Sequence, residues 1–305
     1  MNDAHCHFFS TPFFATLGGD AAIAKLGWES PGTAEVLADR WVAELDRHHV
    51  GRAVLIASVP GDAASVAAAV ARHPDRFVGF FMLDPTQRDA ESTAAVASDS
   101  RALRGICLFP AMHRYAIQDE RVHKIFEIAA ARPGTVVFVH CGVLSVGIRK
   151  KLGLPSPFDI RFGNPLDLHA LALRYPQVPI VIPHFGAGLL RETLMVADLC
   201  PNVHVDTSSS NGWIKYEPAL TLSAVFRQAL AVLGPDRILF GTDSSFFPRG
   251  WVGDVYEQQR RALDELGVSS VVQQKIFSEN FDRLFPSRDK DTEVDKGHKV
   301  RDAGL

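Results

Sequence analysis

The sequence lacks the features that mark several large classes of proteins. Its 305 residues include four cysteines, which stand far apart without the spacing of a zinc knuckle or a disulfide framework. The net charge is −3 and the isoelectric point is near 6.5, so the composition does not predict nucleic-acid binding. No apolar run is long enough to span a membrane, and no basic segment followed by an apolar one opens the chain. We therefore expect a cytoplasmic protein that binds neither nucleic acid nor membrane.

The sequence does contain a regular alternation of short apolar runs with segments of helical spacing. Eight runs predict strands: Asn2–His7, Arg52–Ala57, Phe77–Leu83, Arg104–Phe109, Val136–His140, Pro179–Pro183, Val203–Asp206 and Ile238–Gly241. Because nearly all of them are apolar on both faces, they predict an α/β fold of the closed (β/α)8 TIM-barrel type. The alternative, a doubly wound open sheet, usually carries Gly-x-Gly-x-x-Gly after its first strand. His5-Cys6-His7-Phe8 stands at that place here.

The chain shows no internal repeat and no linker that would divide it. Residues Ser270–Phe285 are amphipathic and predict a C-terminal helix docked on the barrel. We therefore predict one domain over residues 1–285, followed by a polar, charge-rich tail over residues 286–305 that we expect to be disordered. Two connections, Phe8–Gly32 and Gly142–Gly163, are longer than a barrel needs and leave from the strand ends where barrel enzymes build their sites.

Five ionisable side chains stand at the carboxyl ends of predicted strands. They are His5 and His7 on strand one, His140 on strand five, His184 after strand six and Asp243 after strand eight. Alternation along the strands gives them one inward phase, so we expect them to meet at one mouth of the barrel. Burying these groups without a cation or a reaction to serve would cost on the order of several kcal/mol.

Three imidazoles and one carboxylate suit a single divalent metal ion, above all Zn²⁺, with Mn²⁺, Fe²⁺ or Co²⁺ as other options. If His5, His7, His140 and Asp243 are the ligands, a water or a substrate oxygen takes the next position and is activated there. His184 would then transfer protons. The alternative is that His184 is itself a metal ligand.

Several further side chains are candidates for substrate binding: Arg161, Arg249, Asp206 and Trp28. Arg161 belongs to a basic stretch with Arg149, Lys150 and Lys151, of which we expect at most one to dock a substrate carboxylate. Arg161 is favoured because apolar residues flank it. Asp206 follows strand seven and is expected to point inward, where it would orient His184 or an arginine. Trp28 and the phenylalanines of the first long connection predict a lid over a planar or apolar substrate, or else a satellite core or dimer contact.

The strand-end segments resemble, in order, the motifs of the amidohydrolase superfamily, and most closely its amidohydrolase 2 branch, which includes aminocarboxymuconate-semialdehyde decarboxylase. The segments are His5-Cys6-His7, Val139–Gly142, Pro183–Gly188, Phe240–Ser244 and the closing Asn280–Phe285. The resemblance implies metal ligands at His5, His7, His140 and Asp243, with His184 catalytic. Many binuclear relatives carry a carboxylated lysine at the end of strand four. Residues Gly105–Pro110 offer none, which favours one metal.

The function predicted from these residues is a metal-dependent hydrolase of a small organic amide, ester or lactone, with Asp243 and His184 as proton-transfer groups. The alternative is a non-oxidative metal-dependent decarboxylase of an aromatic or enoic acid. Members with a similar histidine set also act as lactonases without metal, which is a third reading. The aromatic mouth favours the decarboxylase, and the breadth of the superfamily favours hydrolysis. The expected partner is a small organic acid or its derivative, and a homodimer is compatible with such barrels.

Overall fold

Nine parallel strand segments form one sheet in the computed structural model, which describes residues 1–209, 211–245 and 249–287. The strands are β1 (Asn2–Phe8), β2 (Arg52–Ala57), β3 (Phe77–Leu83), β4 (Leu103–Leu108), β5 (Val136–Val139), β6 (Ile180–Ile182), β7 (Val203–Asp206), β8 (Ile238–Leu239) and β9 (Ser244–Ser245). Their order in the sheet is β8-β7-β6-β5-β4-β3-β2-β1-β9. Strands that neighbour each other in sequence therefore neighbour each other in the sheet, as in a barrel.

The barrel closes because β8 and β9 are two parts of one interrupted eighth strand. β8 pairs with β7, and β9 pairs with β1 through Cys6↔Ser244 and His7↔Ser245. Between the two parts, the Ala4 amide donates to the Phe240 carbonyl (2.8 Å) and the Asp243 amide donates to the His5 carbonyl (3.0 Å). The predicted (β/α)8 barrel is thus confirmed, and the doubly wound sheet is excluded.

Helices fill the connections between the strands. They are α1 (Thr11–Ala15), α2 (Asp20–Leu26), α3 (Ala34–Arg47), α4 (Ala63–Arg72), α5 (Ala90–Asp99), α6 (Pro110–His113), α7 (Glu120–Ala130), α8 (Gly147–Leu152), α9 (His169–Arg174), α10 (Leu190–Leu199), α11 (Leu222–Leu233), α12 (Gly253–Glu265), α13 (Ser270–Gln274) and α14 (Asn280–Leu284). Short 3-10 turns cover Ile160–Phe162, Pro165–Leu168, Pro183–Gly186, Gly212–Tyr216 and Pro235–Arg237. The two long connections hold α1 and α2 after β1, and α8 after β5.

The apolar side chains form two layers because alternate residues of each strand point to opposite faces. On β2, Leu55 packs in the outer layer between strands and helices, while Val54 and Ile56 pack in the inner layer that fills the barrel. The helices supply the outer layer from one face, as on α3, where Leu37 and Trp41 are both buried. Strands buried on both faces explain why the sequence runs are apolar throughout.

The predicted C-terminal helix is present and closes the amino-terminal end of the barrel. Helices α13 and α14 are continuous through a π turn at Lys275–Glu279. Phe281 and Phe285 join the inner layer, where the ring of Phe285 lies 5.6 Å from that of Phe80. Asn2 on β1 donates to Asp282 at 3.0 Å, which ties this helix to the first strand. Residues 288–305 of the predicted tail lie outside the described residues.

Most predicted strand bounds agree with the structure to within one residue, and strand eight is the exception. The prediction ended it at Gly241, whereas the pairing resumes at Ser244–Ser245 after a break. The break has a physical cause, since Asp243 adopts a left-handed backbone (φ 58°) that no regular strand contains. This irregularity places Asp243 beside β1.

Candidate metal centre and cavity

His5, His7 and Asp243 bring three donor atoms together at the carboxyl end of the barrel. The Nε2 atoms of His5 and His7 are 3.3 Å apart. Asp243 Oδ1 lies 3.1 Å from His7 Nε2 and 3.7 Å from His5 Nε2. His5 is buried and Asp243 is about one-third exposed, so the group sits at the floor of an open mouth.

The other ring nitrogens of these histidines have hydrogen-bonding partners of their own. His5 Nδ1 lies 2.9 Å from Asp206 Oδ2 and 2.9 Å from Ser208 Oγ. His7 Nδ1 lies 2.8 Å from Ser58 Oγ. Because Nδ1 is occupied on each ring, Nε2 is the nitrogen that faces the other donors. Histidines that bind metals are oriented by such outer contacts, most often with a carboxylate.

His184 and His140 complete the cluster from the other side. The rings of His5 and His184 are stacked with centroids 5.0 Å apart, and those of His140 and His184 are 5.2 Å apart. His184, His5 and Asp243 offer ligand atoms that all lie within 4.8 Å of one another. His140 is buried, and its Nδ1 has no partner among the described residues.

The positions of the histidines bear on the two roles predicted for His184. His184 shares a group with His5 and Asp243 in which the ligand atoms lie within 4.8 Å of one another, so both its role as a ligand and its role in proton transfer stay predictions. His140 lies next to His184, but it is not in the group formed by His184, His5 and Asp243. The five residues singled out at the strand ends thus meet at one place, while the choice of ligands among them stays a prediction.

The donor atoms fit a divalent metal ion. An ion in tetrahedral coordination with bonds of about 2.0–2.1 Å holds its ligand atoms roughly 3.3 Å apart. The three separations between His5, His7 and Asp243 are 3.3, 3.1 and 3.7 Å. Imidazole nitrogens and a carboxylate are ligands of Zn²⁺ and of its first-row neighbours. The unpartnered buried nitrogen of His140 is a further polar atom in the same cluster.

The backbone at two of these residues is strained. His184 (φ 57°) and Asp243 (φ 58°) both occupy the left-handed region, which residues other than glycine rarely adopt. Asp206 Oδ1 accepts the His184 amide at 3.0 Å, and the His5 carbonyl accepts the Asp243 amide at 3.0 Å. Strained backbone of this kind gathers at functional sites, where surrounding contacts hold it in place.

The electrostatics of the cluster follow from burial and close opposite charges. Burial opposes the ionisation of Asp206, but the charge and hydrogen bond of His5 outweigh it and hold the pKa of Asp206 below its usual value. Burial would lower the pKa of His5, but the charge and hydrogen bond of Asp206 raise it above its usual value. For His184 and His140, burial dominates and lowers the pKa of both. Burial also opposes the ionisation of Asp243, but the hydrogen bond from His7 and the charges of the nearby histidines outweigh it and hold the pKa of Asp243 well below the usual range.

A buried carboxylate that the sequence analysis did not single out holds the segment around Asp243. Asp3 is fully buried and accepts from Trp251 Nε1 at 2.7 Å and from Thr242 Oγ1 at 2.6 Å. It also accepts the amides of His5 (2.9 Å) and Thr242 (3.2 Å). Burial raises the pKa of Asp3 against these hydrogen bonds. Asp3 thus joins the start of β1 to the break in strand eight. β1 has a register irregularity between Asp3 and Cys6, so simple alternation from His5 does not predict where Asp3 lies.

Ser208 and Ser58 are two further contacts that the sequence analysis missed. Ser208 Oγ lies 2.9 Å from His5 Nδ1 and 2.8 Å from His184 Nδ1, so one hydroxyl joins two histidines. Ser58 follows β2 and contacts His7. Each stands at the carboxyl end of a strand, but serines in such positions are too common to be distinctive.

The cluster opens into a cavity of about 770 Å³. Its walls include six aromatic side chains, those of Phe9, Phe13, Trp28, Phe109, Trp213 and Tyr216. Arg249 lines the cavity, with its guanidinium 3.5 Å from the Asp243 carbonyl. Two of the four predicted substrate contacts, Trp28 and Arg249, are therefore at the cavity.

The other two predicted substrate contacts lie elsewhere. The Arg161 side chain is 86% exposed and forms a forked contact with Asp159, with Nη2 2.6 Å from Oδ2. Asp159 caps the turn that carries Arg161, and Arg161 is not among the residues that line the cavity. Asp206 points inward as predicted, but its oxygens are occupied by His5, His184 and Ser208. It orients histidines and does not line the cavity.

A barrel with histidines and an aspartate gathered at its strand ends has the architecture of an amidohydrolase. The family model described as Amidohydrolase, that of the amidohydrolase 2 branch, matches residues 3–286. The chain therefore belongs to this family, and the resemblance seen in its motifs is confirmed.

Among curated proteins, this chain is similar to Protein fluG of Emericella nidulans. The two are 29% identical over 109 residues, which make up 35% of this chain and 12% of fluG. The chain thus spans about an eighth of the length of that relative, and the match covers only one segment of each protein.

Solved structures with the same fold include enzymes of two reaction types. The 5-carboxyvanillate decarboxylase of Sphingomonas paucimobilis superimposes with a TM-score of 0.62 at 18% identity, covering 93% of this chain and 98% of that one. A probable 2-pyrone-4,6-dicarboxylic acid hydrolase of Acinetobacter baumannii gives 0.62 at 16% identity, covering 93% and 99%. An amidohydrolase of Burkholderia multivorans with bound zinc gives 0.61 at 16% identity, covering 92% and 97%. At these identities the likeness shows the fold.

Within the described residues, none of the helices combines the length and the apolarity that crossing a membrane requires.

Proposed function

We propose that this chain is a metal-dependent hydrolase that cleaves an amide, ester or lactone bond of a small organic acid derivative. The observation that carries the proposal is the convergence of His5 Nε2, His7 Nε2 and Asp243 Oδ1 within 3.1–3.7 Å at the floor of the cavity. Family membership supports a reaction of the amidohydrolase class, and the similar Acinetobacter baumannii structure is that of a probable hydrolase.

His5, His7 and Asp243 would hold one divalent metal ion, most suitably Zn²⁺, with His140 as the further ligand. The zinc bound in the Burkholderia multivorans amidohydrolase supports this choice. When bound, such an ion supplies Lewis acidity that activates a water molecule or polarises a substrate carbonyl.

His184 is the residue best suited to move a proton. Burial lowers its pKa, so its imidazole is neutral at neutral pH and can accept a proton from the attacking water. Ser208 holds its Nδ1 at 2.8 Å, which fixes the ring and presents the other nitrogen. Asp243 has a depressed pKa and is therefore a weak base, so its main contribution is a negative charge beside the reacting group.

A decarboxylase of an aromatic or enoic acid is the second candidate. The aromatic walls of the cavity favour it, because a planar acid would stack against side chains such as Trp28 and Phe109. The similar Sphingomonas paucimobilis structure is a 5-carboxyvanillate decarboxylase. Here His184, in its protonated form, would deliver a proton to the carbon that loses carbon dioxide. Both candidates use the same residues, so product analysis must separate them.

The test begins with elemental analysis of the purified chain and of a His5→Ala/His7→Ala variant. We expect about one equivalent of a transition metal in the native protein and none in the variant. A matched control replaces two histidines outside the cluster, His123→Ala/His169→Ala, and should retain the metal. A native protein that takes up no metal when offered zinc or manganese would contradict the proposal and favour a metal-free lactonase.

The reaction is then assigned with esters, lactones and aromatic acids. Hydrolysis in ¹⁸O-labelled water places the label in the product acid, whereas decarboxylation releases carbon dioxide and adds a solvent proton to carbon. His184→Ala should abolish turnover and leave the metal content unchanged. If the metal is lost with the His184 side chain, His184 is a ligand and the assigned role is wrong.

A further inference from the structure

The cavity has an excess of positive charge. Among the described residues that line it, Lys151, Lys215 and Arg249 are cationic, while Asp243 is the one acid. Asp243 is already engaged by His5 and His7. Within the described part of the chain, no carboxylate lies within 4.0 Å of any of the three cationic groups. A ligand in the cavity would therefore meet positively charged side chains from three different loops that follow the strands.

Lys151 differs from the other cations because its ammonium group contacts an aromatic ring of another long connection. It lies on α8 after β5, and its Nζ is 5.4 Å from the centre of the Trp28 ring, which belongs to the connection after β1. The same two segments are joined where Lys25 Nζ donates to the Leu152 carbonyl at 2.8 Å. An ammonium held over an indole keeps its hydrogen-bond donors free for an anion. Lys151 and Trp28 thus present a donor and a flat apolar surface side by side.

The neighbouring basic residues do not share this placement. Arg149 Nε donates to the Pro155 carbonyl at 2.8 Å, and Arg161 is paired with Asp159. Lys150 and Lys151 are both exposed, but Lys150 is not among the residues that line the cavity. Of the basic stretch in the second long connection, Lys151 is the member that reaches the cavity, in place of Arg161.

We infer that Lys151 and Trp28 form a subsite for an anionic group of the substrate, remote from the group that reacts at the histidine cluster. The substrate class is then a planar acid derivative that carries an anionic group in addition to the amide, ester or lactone bond cleaved at the cluster. The anionic group lies at Lys151, and the planar body stacks on Trp28. This inference rests on the proposed function for the placement of the reacting group. Lys151 is a specificity residue and takes no part in the bond cleavage.

The test is a binding measurement on the full chain, so it does not require turnover. Isothermal titration compares benzene-1,3-dicarboxylate with benzoate, which share the ring and differ by one carboxylate. A charge-assisted hydrogen bond predicts about tenfold tighter binding of the dicarboxylate at low salt. The preference should decrease as salt is added, because an exposed ion pair is screened.

Variants of the basic stretch then locate the effect. Lys151→Met should bind the two acids equally, while Lys151→Arg should keep part of the preference because it keeps the charge. Lys150→Met is the matched control on the same helix and should behave as the native chain. Circular dichroism and thermal unfolding check that each variant is folded.

The outcomes separate this inference from the proposed function. Equal binding of the two acids by the native chain, or an unchanged preference in Lys151→Met, overturns the subsite. A chain that binds no metal and hydrolyses nothing, yet loses its dicarboxylate preference in Lys151→Met alone, retains the subsite and loses the proposed function.

Discussion

The carboxylate of Asp206 should control metal affinity without touching the metal, and Asp206→Asn is the change that tests this. Asp206 Oδ1 accepts from the amides of His184 and Ser208, each at 3.0 Å. An asparagine would keep its carbonyl oxygen there and would place its amide NH₂ where Oδ2 faces His5 Nδ1 at 2.9 Å. His5 Nδ1 would then have to accept a hydrogen bond, and the proton would move to Nε2, the nitrogen that faces the metal position.

The size of the effect follows from the contact that is lost. A hydrogen bond to a charged group is worth about 1.5–3 kcal/mol, and removing an outer contact of a metal-binding histidine weakens metal binding by about 10- to 100-fold. We expect Asp206→Asn to fall in this range. The fold should persist, because the acceptor for the two amides is retained.

The measurement is a competition between the protein and a fluorescent zinc chelator at constant pH. Asp62→Asn is a matched control, since Asp62 is a buried aspartate that contacts Ser10 and Ser65 and no histidine of the cluster. It should bind zinc as the native chain does. If Asp206→Asn is folded and binds zinc with native affinity, the orienting role that we assign to Asp206 is refuted.

Two further predictions concern stability. Gly105→Ala would place a methyl group 2.3–2.4 Å from ring atoms of buried Phe80, so we expect a loss of about 1–3 kcal/mol in urea unfolding, whereas Gly147→Ala, with nothing within 4 Å, should be near neutral. His204, on β7, has its pKa lowered to about 4, first by burial and then by the charges of Arg237 and Arg283. In the unfolded chain this histidine binds a proton near pH 6.5, whereas in the folded chain it does not. It should therefore lower the free energy of unfolding by up to about 3 kcal/mol as the pH falls from 6.5 to 4. His204→Gln should lack that part of the pH dependence, and an equal slope in both proteins would contradict the assignment.

Sequence reasoning predicted the parts of this molecule that depend on periodicity. β2 and β3 have the predicted bounds because each is a largely apolar run between polar turns, and β7 has them because Val203 and Val205 alternate with polar residues. Strand eight was predicted incompletely because its second part, Ser244–Ser245, is polar and pairs with β1 after a break. The pairing of Ser244–Ser245 with β1 depends on the left-handed backbone at Asp243, and no pattern in the sequence predicts that conformation.

The candidate site was predicted in its membership and less well in its arrangement. The five ionisable residues could be predicted from their positions at the strand ends, because the parallel strands of a barrel all end at one mouth. Which of His140 and His184 approaches Asp243 more closely depends on the turn after β6, where His184 has a left-handed backbone. Arg161 was predicted to bind substrate because apolar residues flank it. That reasoning did not include Asp159, two residues away, whose carboxylate pairs with the Arg161 guanidinium.

The strained residues and the buried carboxylates of this site belong to one arrangement. Each left-handed residue other than glycine costs on the order of 1–2 kcal/mol, and His184 and Asp243 are both of this kind. Asp206 accepts the His184 amide, and Asp3 accepts from Thr242, the residue before Asp243. These two fully buried acids therefore hold the strained turns in place while their other contacts reach His5 through its ring and its amide. The geometry of the donor atoms is thus set before any metal binds, at the expense of stability, which is the expected relation in a site selected for chemistry.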